Sequence, residues 1–269
     1  MNTDIASILD TYGELRTVRP LVQCITNFVS MDVTANVLNA AGASPAMVHD
    51  PAEAGEFAAI AGAVVANIGT PSPRWVEGMR AAVSVAHERG TPWVLDPVAV
   101  GATSYRRATV AALLAFQPTV IRGNASEILS IASETVSGRG VDSDEATLDA
   151  ATQAVGLARR TGSVVAMTGK EDVVTDGRRI VTVRGGDDRM PLVTALGCSV
   201  TALVAACCAV QPDALIASVT GLAVMGAAAE RAGVHAAGPG SLRMHLLDEL
   251  AALDLERLAA SLDVIAATA

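Results

Sequence analysis

Short apolar runs rich in β-branched residues alternate with segments of helical periodicity from about residue 20 onward. The apolar runs predict strands at 21–25, 64–68, 93–97, 119–122 and 164–167. Between them, residues 75–88 and 145–160 carry apolar side chains at helical spacing, and Asp142 with Glu145 resembles a capping box at the start of the second helix. This alternation is typical of βα units around a parallel sheet.

The pattern changes near residue 173, where Asp176-Gly177 separates the alternating runs 173–175 and 180–183. That dipeptide predicts a β-hairpin with a two-residue turn. Three apolar or amphipathic helical stretches follow, at 198–210, 213–232 and 242–262. We therefore expect one α/β domain over residues 1–269, with a doubly wound, mostly parallel sheet, helices on both faces, an antiparallel hairpin at the edge and a helical C-terminal part.

Two uncharged runs, 190–212 and 214–229, raise the question of membrane insertion. The first run is long enough to span a bilayer. Its hydropathy is weakened by small and polar residues, namely Pro191, Thr194, Gly197, Ser199 and Thr201, and no positively charged loop marks one side. We expect two buried helices and no membrane partner.

Composition and charge narrow the class of protein. Hydrophobic residues make up 51% of the chain, charged residues 17% and aromatic residues 3%, so the core is built from small side chains that favour close helix packing and large subunit interfaces. The net charge of −9 and the lack of a basic stripe argue against a nucleic-acid partner. No basic region followed by an apolar core marks the N-terminus, and the four cysteines form no metal-binding spacing, which predicts a cytoplasmic protein with reduced thiols.

Polar residues gather at the ends of the predicted strands. The runs end in Thr26-Asn27, Asn67-Ile68-Gly69, Asp96, Arg122-Gly123-Asn124 and Thr168-Gly169. In open parallel sheets, ligands bind beyond the carboxyl ends of the strands. Carboxylate, amide and guanidinium groups are therefore expected to meet at one edge of the sheet.

Asp96 and Glu127 are the candidate metal ligands, because a hard cation that carries phosphates takes one or two carboxylates and keeps several waters. The alternatives are an N-cap or turn residue before Pro97 for Asp96 and a first-turn helix charge for Glu127. Arg122 suits phosphate oxygens, but it could equally form a salt bridge at the strand end. Thr168 with the glycine after it could admit a nucleotide or form a turn into the hairpin.

The most specific feature is the small-residue turn at 194–198, which runs directly into a helix. Backbone N–H groups around Gly197 would form an anion site for a phosphoryl group in transit. Cys198 would lie in the first helical turn, where we expect its thiol pKa to fall. The alternative, a small buried hydrophobic residue, is the interpretation we accept for Cys207 and Cys208.

Taken together, these residues resemble the hydroxyethylthiazole kinase family, a branch of the ribokinase-like fold. The resemblance runs from about residue 20 to residue 258. Its most specific pieces are CITNFVSMDVTANVLNAAGASPAM (24–47), ANIGT (66–70), LDPVAVG (95–101), IRGNASEI (121–128), GVDS (140–143), MTG (167–169) and GCSVTALVAA (197–206).

The resemblance implies phosphorylation of the hydroxyl of 4-methyl-5-(2-hydroxyethyl)thiazole by ATP, as a step in thiamine biosynthesis or salvage. It implies that Asp96 and Glu127 face Mg²⁺. It also implies that Arg122 and Thr168 contact ATP, and we expect Gly197, in the anion turn, to contact the phosphates of ATP.

For the substrate side, the resemblance implies that Met47 and Ala195 line the thiazole site and that Asn27 and Asn67 shape it. Cys198 stands where kinases of the wider fold carry an aspartate base. The family assembles as a homotrimer with each active site near a subunit boundary. One departure is visible, since Ala195-Leu196 stand where the family usually has glycine followed by a small residue.

Other functions remain open on sequence grounds. The rivals are another ribokinase-like kinase, for a hydroxymethylpyrimidine or pyridoxal, and a nucleotide-dependent hydrate dehydratase; all of them are expected to carry Asp where this chain has Cys198. A non-catalytic protein that senses a thiazole or a nucleotide is the remaining alternative. Sensing requires no phosphoryl-transfer residues, so the set formed by Asp96, Glu127 and Arg122 argues against it.

Overall fold

The computed structural model describes residues 5–134 and 146–269. Within them, nine strands form one sheet: β1 (Leu21–Ile25), β2 (Ser44–Ala46), β3 (Ala63–Asn67), β4 (Trp93–Asp96), β5 (Val120–Asn124), β6 (Val164–Thr168), β7 (Asp172–Thr175), β8 (Arg179–Arg184) and β9 (Asp263–Thr268). The strand order is β2-β1-β3-β4-β5-β6-β7-β8-β9. The strands from β2 to β6 pair in parallel, and β7, β8 and β9 add an antiparallel edge.

The chain reverses its direction of growth across the sheet at β1, because β2 lies on one side of β1 and β3 on the other. Such a switch point opens a crevice beyond the carboxyl ends of the two flanking strands. Asn27 follows β1 and Asn67 ends β3, and Asn67 is in register with Asp96 at the end of β4. The topology therefore brings these three polar residues to one crevice.

Helices cover both faces of the sheet, as expected for a doubly wound fold. They are α1 (Ile5–Val18), α2 (Met31–Ala41), α3 (Ala54–Ala58), α4 (Pro73–Arg89), α5 (Ser104–Leu114), α6 (Ala125–Glu134), α7 (Ala146–Thr161), α8 (Leu196–Cys208), α9 (Ala214–His235), α10 (Pro239–Ala252) and α11 (Leu255–Ser261). One hydrophobic cluster packs helices α1, α2, α8, α9, α10 and α11 against one face of the sheet. A second cluster packs helices α3, α4, α5, α6 and α7 against the other face.

The five strands expected from the apolar runs are all present, within one or two residues. The helix predicted at 75–88 begins slightly earlier, because Ser72 accepts a hydrogen bond from the Trp75 N–H (3.2 Å) and Pro73 occupies the first helical position. The second predicted helix is α7. The Asp142 and Glu145 pair, like the GVDS segment, lies outside the described residues.

The hairpin is present at the sheet edge, but its turn is longer than predicted. Three residues, 176–178, separate β7 from β8. The carboxylate of Asp176 accepts hydrogen bonds from the N–H groups of Arg178 (2.8 Å) and Arg179 (2.7 Å), and Gly177 takes a φ of 86°. Because this Asp-stabilised turn needs one more residue, the two-residue prediction was wrong.

The C-terminal part departs from the single helix predicted at 242–262. The helix ends at Ala252, and Asp254 starts α11 by accepting a hydrogen bond from the Arg257 N–H at 2.8 Å. The chain then forms β9, which pairs antiparallel with β8. The stretch predicted as one helix is therefore two helices, and an edge strand for which no prediction was made follows them.

The uncharged runs form α8 and α9, which lie in the core as predicted. In the described part of the chain, α9 is the one helix that is long and apolar enough to cross a membrane. Its apolar window is 72% buried. That burial is typical of a core helix.

Candidate active site

The carboxylate of Asp96 lies at the centre of the candidate site. It is 1% exposed. Its Oδ2 atom accepts hydrogen bonds from Asn67 Nδ2 (2.7 Å) and from Thr201 Oγ1 (2.7 Å), whereas its Oδ1 atom is buried with no hydrogen-bond partner. A buried carboxylate oxygen without a partner is costly unless a ligand or cation completes it. Asp96 therefore presents one free oxygen for a ligand.

The pKa of Asp96 is raised from 3.8 to about 6, mainly by burial and to a smaller extent by the charge of Glu127. The Arg122 guanidinium and the donors Thr201 and Asn67 oppose this shift. The site thus tolerates a negative charge on Asp96 only with difficulty. A cation beside the free oxygen would remove that penalty.

A chain of amide hydrogen bonds links Asp96 to Cys198. Asn27 Nδ2 donates to Asn67 Oδ1 (2.9 Å) and to Cys198 Sγ (3.4 Å). Asn67 Nδ2 in turn donates to Asp96 Oδ2 (2.7 Å). Backbone donors orient both amides, because the N–H groups of residues 29 and 30 donate to Asn27 Oδ1 and that of Gly69 donates to Asn67 Oδ1. The structure thus brings Asn27, Asn67, Asp96 and Cys198 together as one connected group.

Cys198 lies in the first turn of α8, as expected, but the predicted fall in its thiol pKa was wrong. Burial raises the pKa of Cys198, and the nearby Asp96 charge raises it further. The helix N-terminus favours a thiolate, but desolvation outweighs that effect here. Because its pKa is raised, the thiol is neutral at neutral pH, and its Sγ atom accepts a hydrogen bond from Asn27.

Glu127 has a structural role that the sequence offered only as an alternative. It forms a capping box with Asn124, in which Glu127 Oε2 accepts from the Asn124 N–H (2.9 Å) and Asn124 Oδ1 accepts from the Glu127 N–H (3.0 Å). Its other oxygen accepts from the N–H of Ala99 at 2.9 Å. Ala99 takes a φ of 53°, so Glu127 also holds a strained position in the loop after Asp96.

Asp96 and Glu127 nevertheless border one small cavity of about 240 Å³. The other residues that line it are Val98, Arg122, Asn124, Ala195, Gly197 and Cys198. In the described ranges, no three His, Cys, Asp or Glu side chains come together as a metal site. A cation in the small cavity would take Asp96 and Glu127, with water and phosphate oxygens as its remaining ligands, which suits Mg²⁺.

Arg122 is held between Thr168 and the start of α8. Its Nη2 atom donates to Thr168 Oγ1 at 2.6 Å, and its buried Nε atom has no hydrogen-bond partner. A Cβ atom at Gly197 would lie 3.0 Å from Arg122 Nη1, so the glycine leaves room for the guanidinium. Arg122, Thr168 and Gly197 thus meet as predicted, with a cationic group at the helix start.

The helix start itself is built on a strained alanine. Ala195 precedes α8 with a φ of 72°, in the left-handed region that favours glycine, at a cost of roughly 1–2 kcal/mol. The first N–H groups of α8 have no acceptor within the helix, and Gly197 and Cys198 at its start border a cavity, so this helix start is suited to bind an anion. Leu196 is 3% exposed and packs into the core, where its bulk is accommodated.

A larger cavity of about 660 Å³ lies on the other side of Arg122 and shares Ala195 and Gly197 with the small one. Its volume is in the range of small-molecule and cofactor sites. It is lined by residues from the hairpin, the loop before α8 and helix α9, including Thr168, Lys170, Asp172, Gly186, Met190, Leu222 and Met225. The two cavities together could hold a nucleotide with its terminal phosphate at Asp96.

Met47 is not brought into this group. It follows β2, its side chain packs against the core, and it does not line either cavity. The segment after it is anchored by Gln23, whose Nε2 donates to the carbonyls of Val48 and Ala54, both at 3.0 Å. The role of Met47 in substrate binding therefore stays a prediction.

Sequence reasoning missed two residues that hold the site together. Thr201 lies about one helical turn after Cys198, on the face of α8 that meets Asp96. Arg106 in α5 donates to the carbonyls of Ile68 (2.6 Å), Gly69 (2.8 Å) and Val98 (2.8 Å), and so ties the loop after β3 to the loop after β4. Neither residue stands beside a strand end in the sequence, so only helical spacing from Cys198 could have indicated Thr201.

Comparison with known proteins points to one family. The sequence model of the hydroxyethylthiazole kinase family matches residues 13–256. A hydroxyethylthiazole kinase from Cereibacter sphaeroides is 58% identical over 93% of this chain and 95% of its own length. One from Rhizobium johnstonii is 55% identical over 92% of this chain and 93% of its own length.

Solved structures agree with the sequence comparison. The structure of hydroxyethylthiazole kinase from Pyrococcus horikoshii has a TM-score of 0.90 at 37% identity, and covers 97% of this chain and 98% of that one. A pyridoxal kinase from Staphylococcus aureus in complex with ADP has a TM-score of 0.57 at 15% identity, over 78% of this chain and 88% of that one. The second similarity shows the fold alone, which is the ribokinase-like fold predicted from sequence.

Proposed function

Because this chain belongs to the hydroxyethylthiazole kinase family and is therefore a kinase of a thiazole alcohol, we propose which of its residues bind, align and phosphorylate the substrate. The reaction transfers the γ-phosphoryl group of ATP to the hydroxyl of 4-methyl-5-(2-hydroxyethyl)thiazole. The observation that carries the assignment is Asp96, which has a buried Oδ1 atom without a partner and borders a cavity together with Cys198 and the start of α8.

In this proposal the terminal phosphate of ATP lies against the N–H groups at the start of α8. Arg122 supplies a fixed positive charge beside Thr168, and Gly197 admits the guanidinium. Phosphoryl transfer depends mainly on alignment and on stabilisation of charge on the transferred group. The helix N-terminus and Arg122 provide that stabilisation without side-chain rearrangement.

Asp96 and Glu127 would hold Mg²⁺ at the small cavity. When bound, the ion neutralises charge on the phosphate oxygens and orients them. Asn67 and Thr201 donate to Oδ2 of Asp96 and so leave Oδ1 as the oxygen available to the ion. Glu127 keeps the loop after β4 in position through the N–H of Ala99.

The substrate hydroxyl would lie next to Cys198 and donate a hydrogen bond to its neutral sulfur, which leaves a lone pair of the hydroxyl oxygen directed at the γ-phosphorus. As the bond to ADP breaks and the new P–O bond forms, the hydroxyl proton passes to an oxygen of the transferred phosphoryl group. Asn27 fixes the sulfur by donating to it, and Asn27 and Asn67 form the polar wall of the thiazole site. Ala195 borders the small cavity next to Cys198, and Met47 would complete the apolar wall of the site.

We expect Mg²⁺-dependent release of ADP with 4-methyl-5-(2-hydroxyethyl)thiazole, and little or none with a hydroxymethylpyrimidine or pyridoxal. The measurement is a coupled ADP-release assay on the purified protein with each alcohol. Clear release with either of the last two alcohols and none with the thiazole would refute the substrate assignment. Tight binding of the thiazole without any ADP release would instead favour a sensing protein.

We also propose a cytoplasmic homotrimer without membrane or nucleic-acid partners. Phe28 and Val29, beside Asn27, are 69% and 58% exposed, so an apolar surface lies next to the site. Such a surface is suited to contact a neighbouring subunit. Light scattering on the protein expressed without detergent is expected to give the mass of three chains. An active monomer would contradict the proposal, and replacing Phe28 by Asp should weaken association if this surface is the interface.

A further inference from the structure

Lys170 is the only lysine in the chain. It lies in the turn between β6 and β7, immediately after the Thr168-Gly169 pair, and it lines the large cavity. A chain with eighteen arginines and one lysine thus places that lysine at the mouth of the cavity proposed for ATP.

The turn that carries Lys170 is held from both sides. The N–H of Gly169 donates to Asp172 Oδ1 at 3.0 Å, and Glu171 pairs with Arg184 at 2.8 Å. Within the described ranges, Lys170 itself forms no hydrogen bond or ion pair. Its neighbours therefore fix the backbone and leave the ammonium group available to a ligand.

A polyphosphate in the large cavity would need a cation besides Arg122, because carboxylates outnumber the cationic residues in the cavity lining. That lining holds two cationic residues, Arg122 and Lys170, against three carboxylates, Asp172, Asp187 and Asp188. Asp187 is neutralised by Arg189, which donates to both carboxylate oxygens at 2.7 Å and 2.6 Å.

The remaining carboxylates would repel a polyanionic ligand, and the net charge of −9 adds to that repulsion. Arg122 borders both cavities and is held by its hydrogen bond to Thr168. Lys170 is therefore the other cationic residue of the cavity lining that a triphosphate could contact.

We propose that Lys170 binds the polyphosphate chain of the nucleotide and so helps this acidic protein to hold ATP. The proposal rests on the proposed function, since it places ATP in the large cavity. Lysine suits this role as a mobile point charge on a flexible stem, whereas Arg122 supplies the fixed contact.

Lys170→Met is expected to raise KM for ATP about 3- to 10-fold, the effect of one exposed charge on a phosphate, with a smaller change in kcat and in KM for the thiazole. The increase should shrink as salt is added, because the contact is screened. Lys170→Arg should restore most of the affinity.

Arg178→Met is the matched control, because it removes the same charge from an exposed position at the opposite end of the same hairpin. An equal rise in KM for ATP in Arg178→Met would mean that the net charge of the protein, and not a contact of Lys170 with the phosphates, causes the rise. That result would overturn the proposal. Wild-type protein without kinase activity would refute the proposed function instead, whereas active protein with an unchanged KM for ATP in Lys170→Met refutes only the role of Lys170.

Selective labelling gives a second readout that does not depend on turnover. Lys170 and the α-amino group are the only primary amines, so mass spectrometry after brief acetylation with an N-hydroxysuccinimide ester reports on each separately. MgATP should slow acetylation of Lys170 and leave the α-amino group unaffected. Equal protection by adenosine would assign Lys170 to the nucleoside and not to the phosphates, and no protection by either would overturn the proposal.

Discussion

Asp96→Asn is expected to lower kcat/KM by about 10³-fold, because losing the charge at a metal-facing oxygen removes several kcal/mol of transition-state stabilisation. The asparagine oxygen can still accept from Asn67 and Thr201, so the hydrogen bonds that orient the side chain are retained. Steady-state kinetics across a Mg²⁺ titration would measure the loss. Normal turnover per folded molecule would return Asp96 to a turn residue with a structural role.

The same substitution should stabilise the metal-free protein at neutral pH. The folded-state pKa of Asp96, about 6, lies above the ordinary value of 3.8, so folding favours the protonated form. Stability from this group is full below the ordinary pKa and is lost as the pH rises through about 6, at a cost of roughly 2–3 kcal/mol. The Asp96→Asn variant avoids this loss because the amide carries no charge at any of these pH values.

Chemical denaturation in the presence of a chelator would test the sign. Asp96→Asn should exceed wild type in free energy of unfolding at pH 7.5, and the difference should nearly vanish at about pH 4. Glu127→Gln is the control, since it removes one acceptor from the capping box and should cost about 1 kcal/mol of stability as well as activity. A less stable Asp96→Asn at pH 7.5 would show that the buried charge is already compensated within the protein.

Cys198→Ala should lower kcat about tenfold, which is less than the roughly 10²–10⁴-fold typical of a general base. The reason is the raised thiol pKa, which keeps Cys198 neutral, so the variant loses a hydrogen bond and not a base. Cys198→Ser should fall between wild type and Cys198→Ala. Cys198→Asp should remain active, because a carboxylate recreates the arrangement expected in kinases of the wider fold.

The measurement is kcat for the three variants at saturating ATP, with binding of the thiazole measured separately. Cys208→Ala is the control, since it removes a buried thiol from the same helix away from both cavities. Turnover of Cys198→Ala equal to wild type would reduce the thiol to packing. A folded but inactive Cys198→Asp would show that the comparison with aspartate-bearing kinases does not hold.

The amino-acid sequence by itself determined the order of strands and helices and the edge at which the site forms. Side-chain periodicity is local, so the runs at 64–68 and 93–97 suffice to predict two parallel strands. Parallel strands end on the same side, which is why Asn67 and Asp96 could be placed together before any contact was known. The family, too, followed from short segments whose order along the chain is specific.

Tertiary structure alone decided how these residues are used. The hydrogen bond from Thr201 to Asp96 joins residues 105 positions apart, and it determines which oxygen of the carboxylate is free. The Cys198 pKa depends on burial beneath Asn27 and beside Asp96, which outweighs the helix N-terminus that the sequence suggested. Strand β9 likewise forms by pairing with the open edge of β8, which is distant in sequence. Each of these outcomes depends on partners distant in sequence, and local patterns carry no information about such partners.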